Sequence, residues 1–123
     1  MSSTRIAGID ITTYLVKDPK RAIAFYRDVM EMTPTWESEQ GAEFTLADGS
    51  TFGLWHSDEI PWHPTSGVMF AVEDVPAAAD HYRRRGAKIE TEVEESPVCF
   101  MAFGEDSEGN HFILHRRKAN GIH

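Results

Sequence analysis

The sequence predicts an α+β fold in which one βαβββ module is used twice. Three observations carry this. Sliding the chain along itself lays Val16-Lys17-Asp18 on Val72-Glu73-Asp74, and the same shift puts Ala22 on Ala78, Tyr26 on Tyr82 and Arg27 on Arg83. Each matched aspartate stands between a strand-like run and a helical pattern, where an N-cap belongs. Each half then ends on short strand-like runs joined by a glycine turn, Asp48-Gly49 in the first and Glu108-Gly109 in the second. A fixed internal shift of this kind marks a repeated supersecondary unit.

In the first half, IDITTYLV is rich in β-branched residues and predicts a strand. Asp18 caps a helix with Pro19 at its first position, where a missing N–H costs nothing. The helix PKRAIAFYRDVMEM sets Ala22, Tyr26, Val29 and Met30 on one face. Strands follow around Thr35 to Glu39, around Glu43 to Ala47 and from Thr51 to His56. The Asp48-Gly49 pair supplies the hairpin turn, since both residues tolerate positive φ.

The second half keeps the order. SGVMFAVED is a strand, Asp74 a cap, and VPAAADHYRRRG a helix stopped by Gly86, which can take the left-handed conformation past the last turn. KIETEVE alternates acidic and other side chains and predicts a solvated strand. Val98 to Phe103 and His111 to Arg116 complete the module, joined by EDSEGN. The Pro-containing stretch HSDEIPWHPTS predicts a linker. One domain, 1–123, is expected, with modules at about 6–56 and 66–117 and the linker at 57–65.

The 123 residues suffice to bury a core, and 41% hydrophobic with 26% charged residues is a globular composition. A net charge of −8, from 20 acidic and 12 basic residues, sets the chain against nucleic acid and anionic membranes. Cys99 is the single cysteine, so no intrachain disulfide and no cysteine-based zinc cluster can form, and its apolar neighbours predict packing. The start, MSSTRIAGIDI, has no apolar signal core, and no run is long enough to span a bilayer. A cytoplasmic protein is the expectation.

The order of elements, with V-K-D before a helix carrying F-Y-R-D-V and a D/E-x-x-G-N start to the last strand, resembles the vicinal oxygen chelate superfamily. That group includes glyoxalase I, bleomycin-resistance proteins, extradiol dioxygenases and fosfomycin-resistance enzymes. The resemblance runs from about Ile6 to Lys118. It implies that the two modules form a curled mixed sheet, a cup around a ligand, with helices on the outer face. The cup forms within one chain in some relatives and between swapped modules of a dimer in others; a homodimer is expected here.

The resemblance also implies where a divalent metal would sit: seven residues before each capping aspartate and four after each turn glycine. Those positions hold Ile11, Gly67, Gly53 and Ile113. None offers the nitrogen, oxygen or sulfur donor a metal needs. No metal or other cofactor is therefore expected at the family's usual site, a divalent metal on displaced ligands being the alternative.

The pair His111 and His115 imitates a zinc-binding HxxxH, but along a strand four residues span roughly 13 Å, so the two cannot share an ion unaided. The run from Asp106 fails as a calcium loop because Arg117 stands where a bidentate glutamate is required. His56, His63 and His81 are expected at ordinary rim or surface positions. The inward faces of the implied cup would carry Ile11, Thr13 and Leu15; Thr51, Gly53 and Trp55; Gly67, Met69 and Ala71; and His111, Ile113 and His115.

The resulting expectation is a metal-free small-molecule binder of the bleomycin-resistance type, taking an aromatic or amphipathic compound through Ile11, Thr13, Trp55, Met69, His111, Ile113 and His115. The alternative is an enzyme of the same superfamily: a lyase, isomerase or dioxygenase. It would use displaced ligands such as His56 and His111 or His115 with Glu43, or His111 or His115 as a metal-free acid/base. Trp62, between two prolines, is either a lid or a contact with a partner subunit.

Overall fold

Two aspartates start the two helices. Asp18 accepts from the Arg21 N–H at 3.2 Å and Asp74 from the Ala77 N–H at 3.0 Å, each with a proline in the first turn. The computed structural model describes residues 4–119, so Met1 to Ser3 of the opening stretch and the last four residues of the predicted domain lie outside it.

The first half runs β1 (Thr12–Leu15), α1 (Pro19–Ala24), β2 (Pro34–Glu37), β3 (Gly41–Thr45) and β4 (Thr51–Trp55). The second runs β5 (Val68–Ala71), α2 (Val75–Arg84), β6 (Lys88–Ile89), β7 (Glu94–Glu95), β8 (Cys99–Glu105) and β9 (His111–Arg117). The elements form two mixed sheets. One has the order β1-β4-β3-β2; the other is β5-β9-β8-β6, with β7 also on β8. In each, the first strand pairs parallel to the last, which the long connection through a helix and the intervening strands allows. The α+β fold of two βαβββ modules is as the sequence predicts, each module contributing one hydrogen-bonded sheet, with β1 and β5 at the facing edges.

Three elements depart from expectation for physical reasons. The first strand begins at Thr12, because Thr12 pairs with Phe52 near the start of β4 and the pairing does not extend back to Ile9. The first helix does not stay α-helical to Met32. It loosens into a π-helical turn at Phe25–Val29, with the Met30 N–H bonding the Phe25 carbonyl at 3.0 Å, and stops at Glu31, which sits at φ 59°. The predicted KIETEVE strand is broken into β6 and β7, separate two-residue pairings on β8. Gly86 behaves as expected, at φ 113° just past α2.

Helix α1 packs on β3 and β4, and α2 on β6, β8 and β9. Their buried faces meet in one core spanning both halves, centred on Tyr26, Phe44, Phe52, Phe70 and Phe112. Rings of the two modules touch directly: Phe52 and Phe70 are 5.1 Å apart edge to face.

The stretch between β8 and β9 does more than turn the chain. Asp106, Glu108 and Asn110 are each buried to 5% exposure or less. The Glu108 carboxylate accepts from the N–H groups of Lys17 (3.0 Å) and Asp18 (2.7 Å) and from the Arg21 guanidinium (2.6 Å). Asp106 accepts from the Tyr26 hydroxyl at 2.7 Å and from the Glu108 and Asn110 N–H groups. Asn110 donates to the Leu15 carbonyl and accepts from the Thr65 N–H. Across the facing edges, the Tyr14 hydroxyl accepts from the Val68 N–H at 2.9 Å and donates to the His111 carbonyl at 2.5 Å. The second half therefore grips the strand–helix junction of the first by a fully partnered polar clasp.

Burial pushes the Asp106 carboxyl above its ordinary 3.8 in spite of its three donors. Burial also opposes charge on Glu108, but Arg21 and the Asp18 N–H outweigh it and hold this carboxyl below 4.5. The signs are opposite. Glu108 contributes stability that is present above 4.5 and lost as pH falls through its depressed pKa, whereas Asp106 costs stability as pH rises from 3.8 through its raised one. Glu108→Ala, which strands two backbone donors, should cost about 2–4 kcal/mol by urea denaturation. Arg21→Ala should cost less than Glu108→Ala, because Arg21 is half exposed while both backbone donors to Glu108 remain. Titrating wild type and Glu108→Gln from about pH 3 to 6 should show a shallower acid-side loss in the variant.

Candidate functional site

The faces of the sheets turned away from the helices carry most of the predicted site. On β1 through β4 one cross-strand row reads Trp36, Glu43, Gly53, Thr13, each the register partner of the next. The neighbouring row sets Trp55 beside Leu15. Gly53 makes the hollow: a Cβ there would lie 3.1 Å from Thr13 Oγ1 and 3.3 Å from Ile11 Cγ2. Without one, Ile11, Thr13, Trp36, Glu43 and Trp55 surround a pocket of about 260 Å³. Both indoles stay open to solvent, Trp36 at 47% and Trp55 at 37% exposure.

The other sheet lacks this hollow. Ile113, the counterpart of Gly53, fills the row between Met69 and Phe103. His111 stands apart, paired across the strands with Glu105, and with Lys88 and Glu90 lines a second pocket of about 320 Å³. His115 lies between Ala71 and Met101. Of the seven predicted ligand contacts, the structure brings Ile11, Thr13 and Trp55 together. His111 belongs to the second pocket, Met69 borders a third, and Ile113 and His115 line none of these. Within this chain β1 and β5 lie at the facing edges of the two sheets, and the hollow lined by Ile11, Thr13 and Trp55 is separate from the pocket lined by His111.

The metal positions stand as the sequence has them: Ile11, Gly53, Gly67 and Ile113 present no donor. Displaced ligands do not assemble either. His56 is held at the edge of the first sheet, with Nδ1 3.0 Å from the Val16 carbonyl and Nε2 2.9 Å from Asp58. His111 and His115 are on the other sheet. Among the described residues no three His, Cys, Asp or Glu side chains come close enough to hold an ion. The residues present do not fit the family's metal. Cys99 is buried beside Ser96, as packing predicts.

Sequence reasoning missed Trp36 and used Glu43 only as a stray ligand. The signal was present: in TWE and AEF the two residues share a strand face, but their pairing depends on an irregularity between Pro34 and Trp36 that no pattern reveals. Trp62 lines none of the three pockets; its indole N–H is enclosed with no acceptor.

Comparison with known proteins follows the same lines. The model of the Glyoxalase/Bleomycin resistance protein/Dioxygenase superfamily matches residues 8–114. The chain belongs to this superfamily. No curated protein matches it. Among solved structures, TnmS3, an antibiotic-binding protein from Streptomyces sp. CB03234, superimposes with a TM-score of 0.80 at 17% identity, covering 92% of this chain and 98% of that one. A glyoxalase/bleomycin resistance protein from the same strain gives 0.74 at 17% identity, covering 86% and 97%. A lactoylglutathione lyase from Agrobacterium tumefaciens gives 0.69 at 19% identity, covering 89% and 93%. At these identities the likeness establishes the superfamily fold, and within it binders and enzymes share one architecture.

His56 supplies a pH signature for the first sheet. Its bond to the Val16 carbonyl, then Asp58, raise its pKa above 6.5 against a smaller effect of desolvation. The raised pKa means this contribution to stability is full below 6.5 and lost as pH climbs through the folded value. Thermal unfolding between about pH 6 and 8 should therefore fall more steeply for wild type than for His56→Ala.

Proposed function

We propose that the protein binds an aromatic or amphipathic small molecule on the open face of its first sheet, without the superfamily's usual metal. The observation that carries this is the hollow over Gly53, walled by two exposed indoles with a carboxylate between them. Large aromatics on a strand face are costly to leave in water unless something covers them. Trp36 and Trp55 offer flat surfaces for stacking, Ile11 an apolar edge, and Thr13 a hydroxyl for orientation. Glu43 favours a ligand carrying positive charge, as does the net charge of −8. The antibiotic-binding neighbour supports the same reading.

The occupied form we propose is a cytoplasmic homodimer. Among the described residues no helix is long and apolar enough to cross a membrane. Ile6 and Ile9 are 89% and 85% exposed beside β1, an apolar edge that a second copy would cover.

Titration of the intrinsic fluorescence with polycyclic aromatics, each with and without an ammonium group, tests the assignment. Saturable quenching by the cationic members is expected, with Trp36→Ala and Trp55→Ala each weakening binding about tenfold. Absence of quenching across the panel, or unchanged affinity in both variants, would remove the basis for it.

A second reading rests on His111 and Glu105, cross-strand partners beside Lys88 in the second pocket. Such a pair suits metal-free proton transfer. If the protein turns over a substrate by this route, His111→Ala should lower kcat by about 10²-fold or more while leaving tryptophan quenching intact. Equal turnover in the variant would dismiss His111 as acid/base.

A further inference from the structure

The two modules are alike in backbone and unlike in one respect: the clasp is built on one side only. The turn Asp106 to Asn110 matches Leu46 to Ser50, since Asp106 and Leu46 N–H groups bond the Asn110 and Ser50 carbonyls alike, and Gly109 and Gly49 share φ near 86° and 87°. In this correspondence Asp106 is replaced by Leu46, Glu108 by Asp48 and Asn110 by Ser50. Tyr14, whose hydroxyl bridges the facing edges, is replaced by Phe70, which has none. Arg21 is replaced by Ala77.

Of the polar side chains that close the first junction, only Tyr26 keeps its like in the second half, as Tyr82, and the acid that would receive its hydroxyl is replaced by Leu46. Asp48 is one carbon shorter than Glu108 and turns back to bond its own loop, accepting from the Ser50 N–H at 3.0 Å and hydroxyl at 2.6 Å. Where the second clasp would be, a cavity of about 590 Å³ opens on the helix side of the sheets. Its floor is core: Phe52, Phe70 and Leu114. Met30 and Met32 form a wall, and Asp48 and several hydroxyl groups the rim. This volume falls within the range of small-molecule sites.

We propose that this cavity is a second ligand site, distinct from the hollow over Gly53, for a small amphipathic amine with a flat apolar body. The apolar floor and the adaptable thioethers would take the body. Charge decides the head group. No lysine or arginine lines the cavity, while Glu31 and Asp48 do. Glu31 is engaged by His81 at 2.6 Å and by Arg85. Asp48 makes no ion pair among the described residues, and so is the carboxylate left to meet a cation. An anionic ligand would find no counter-charge.

Tryptamine, indole and indole-3-acetate share one ring system and differ in charge, so they separate the two parts of the proposal. Met30, Met32 and Met69 line the cavity and Met101 lies on the open face of the second sheet, so ¹³C-methyl methionine labelling reports on each place. Tryptamine should shift Met30 and Met32 saturably and leave Met101 in place. It should bind about two- to fivefold more tightly than indole, the range an exposed ion pair supplies, with indole-3-acetate weakest. Asp48→Asn should bring tryptamine to the affinity of indole. Grafting the clasp with Leu46→Asp, Asp48→Glu, Ser50→Asn and Phe70→Tyr should abolish the shifts by closing the cavity.

Unmoved Met30 and Met32 with all three compounds would overturn the site, and so would shifts confined to Met101. Equal binding of the three charges, or an unaffected Asp48→Asn, would overturn the assignment to amines. Trp36→Ala with Trp55→Ala should not alter these shifts, so loss of the open-face pocket and loss of this one are read independently.

Discussion

Three buried polar side chains on one five-residue turn join the halves of this protein. Glu108 and Asn110 reach across from the second module and satisfy the backbone of Leu15, Lys17 and Asp18 in the first, while Asp106 takes the Tyr26 hydroxyl. Buried carboxylates are costly unless every lone pair has a donor, and here the donors come from both modules. The clasp can therefore be complete only when the two are in register. Tyr26 shows the coupling most directly: its ring lies among the core aromatics while its hydroxyl ends on Asp106. The apolar core supplies attraction without direction, and the clasp supplies the direction.

A repeated module has two of everything, so the places where the copies differ are where the protein acquires particular properties. The rows over Gly53 and Ile113 illustrate this on the open faces. One residue without a side chain leaves a hollow between two indoles; its counterpart, branched and apolar, fills the same place. The turns illustrate it on the helix side, where the Glu108 carboxylate reaches the opposite strand–helix junction and the shorter Asp48 bonds within its own loop. Neither difference disturbs the shared backbone, because both glycine turns keep the same left-handed geometry.

The superfamily's metal depends on four donors brought to one point from both modules. Here Ile11, Gly53, Gly67 and Ile113 supply no donor atoms. What remains of that location is surface shape and apolar character. The hollow over Gly53 gives the first sheet a concave, partly aromatic surface, which is the raw material of a binding site.

The sequence by itself determined the module repeat, both helix caps, both glycine turns and the absence of donors at the metal positions. Each is written in residues adjacent along the chain, or in a count from one landmark to the next, so local stereochemistry suffices to read it. It also drew attention to the run from Glu108 to His115, though for its histidines. What mattered there was Glu108 and Asn110, whose partners lie on Leu15, Lys17, Asp18 and Arg21, far away in the chain. Only the tertiary structure decided that. It likewise decided that Trp36 joins Trp55, through an irregularity in strand pairing, and that Ile11 and Thr13 share their hollow while His111 lines another pocket. Long-range pairing is set by how edges and loops meet in space, and no local pattern carries that information.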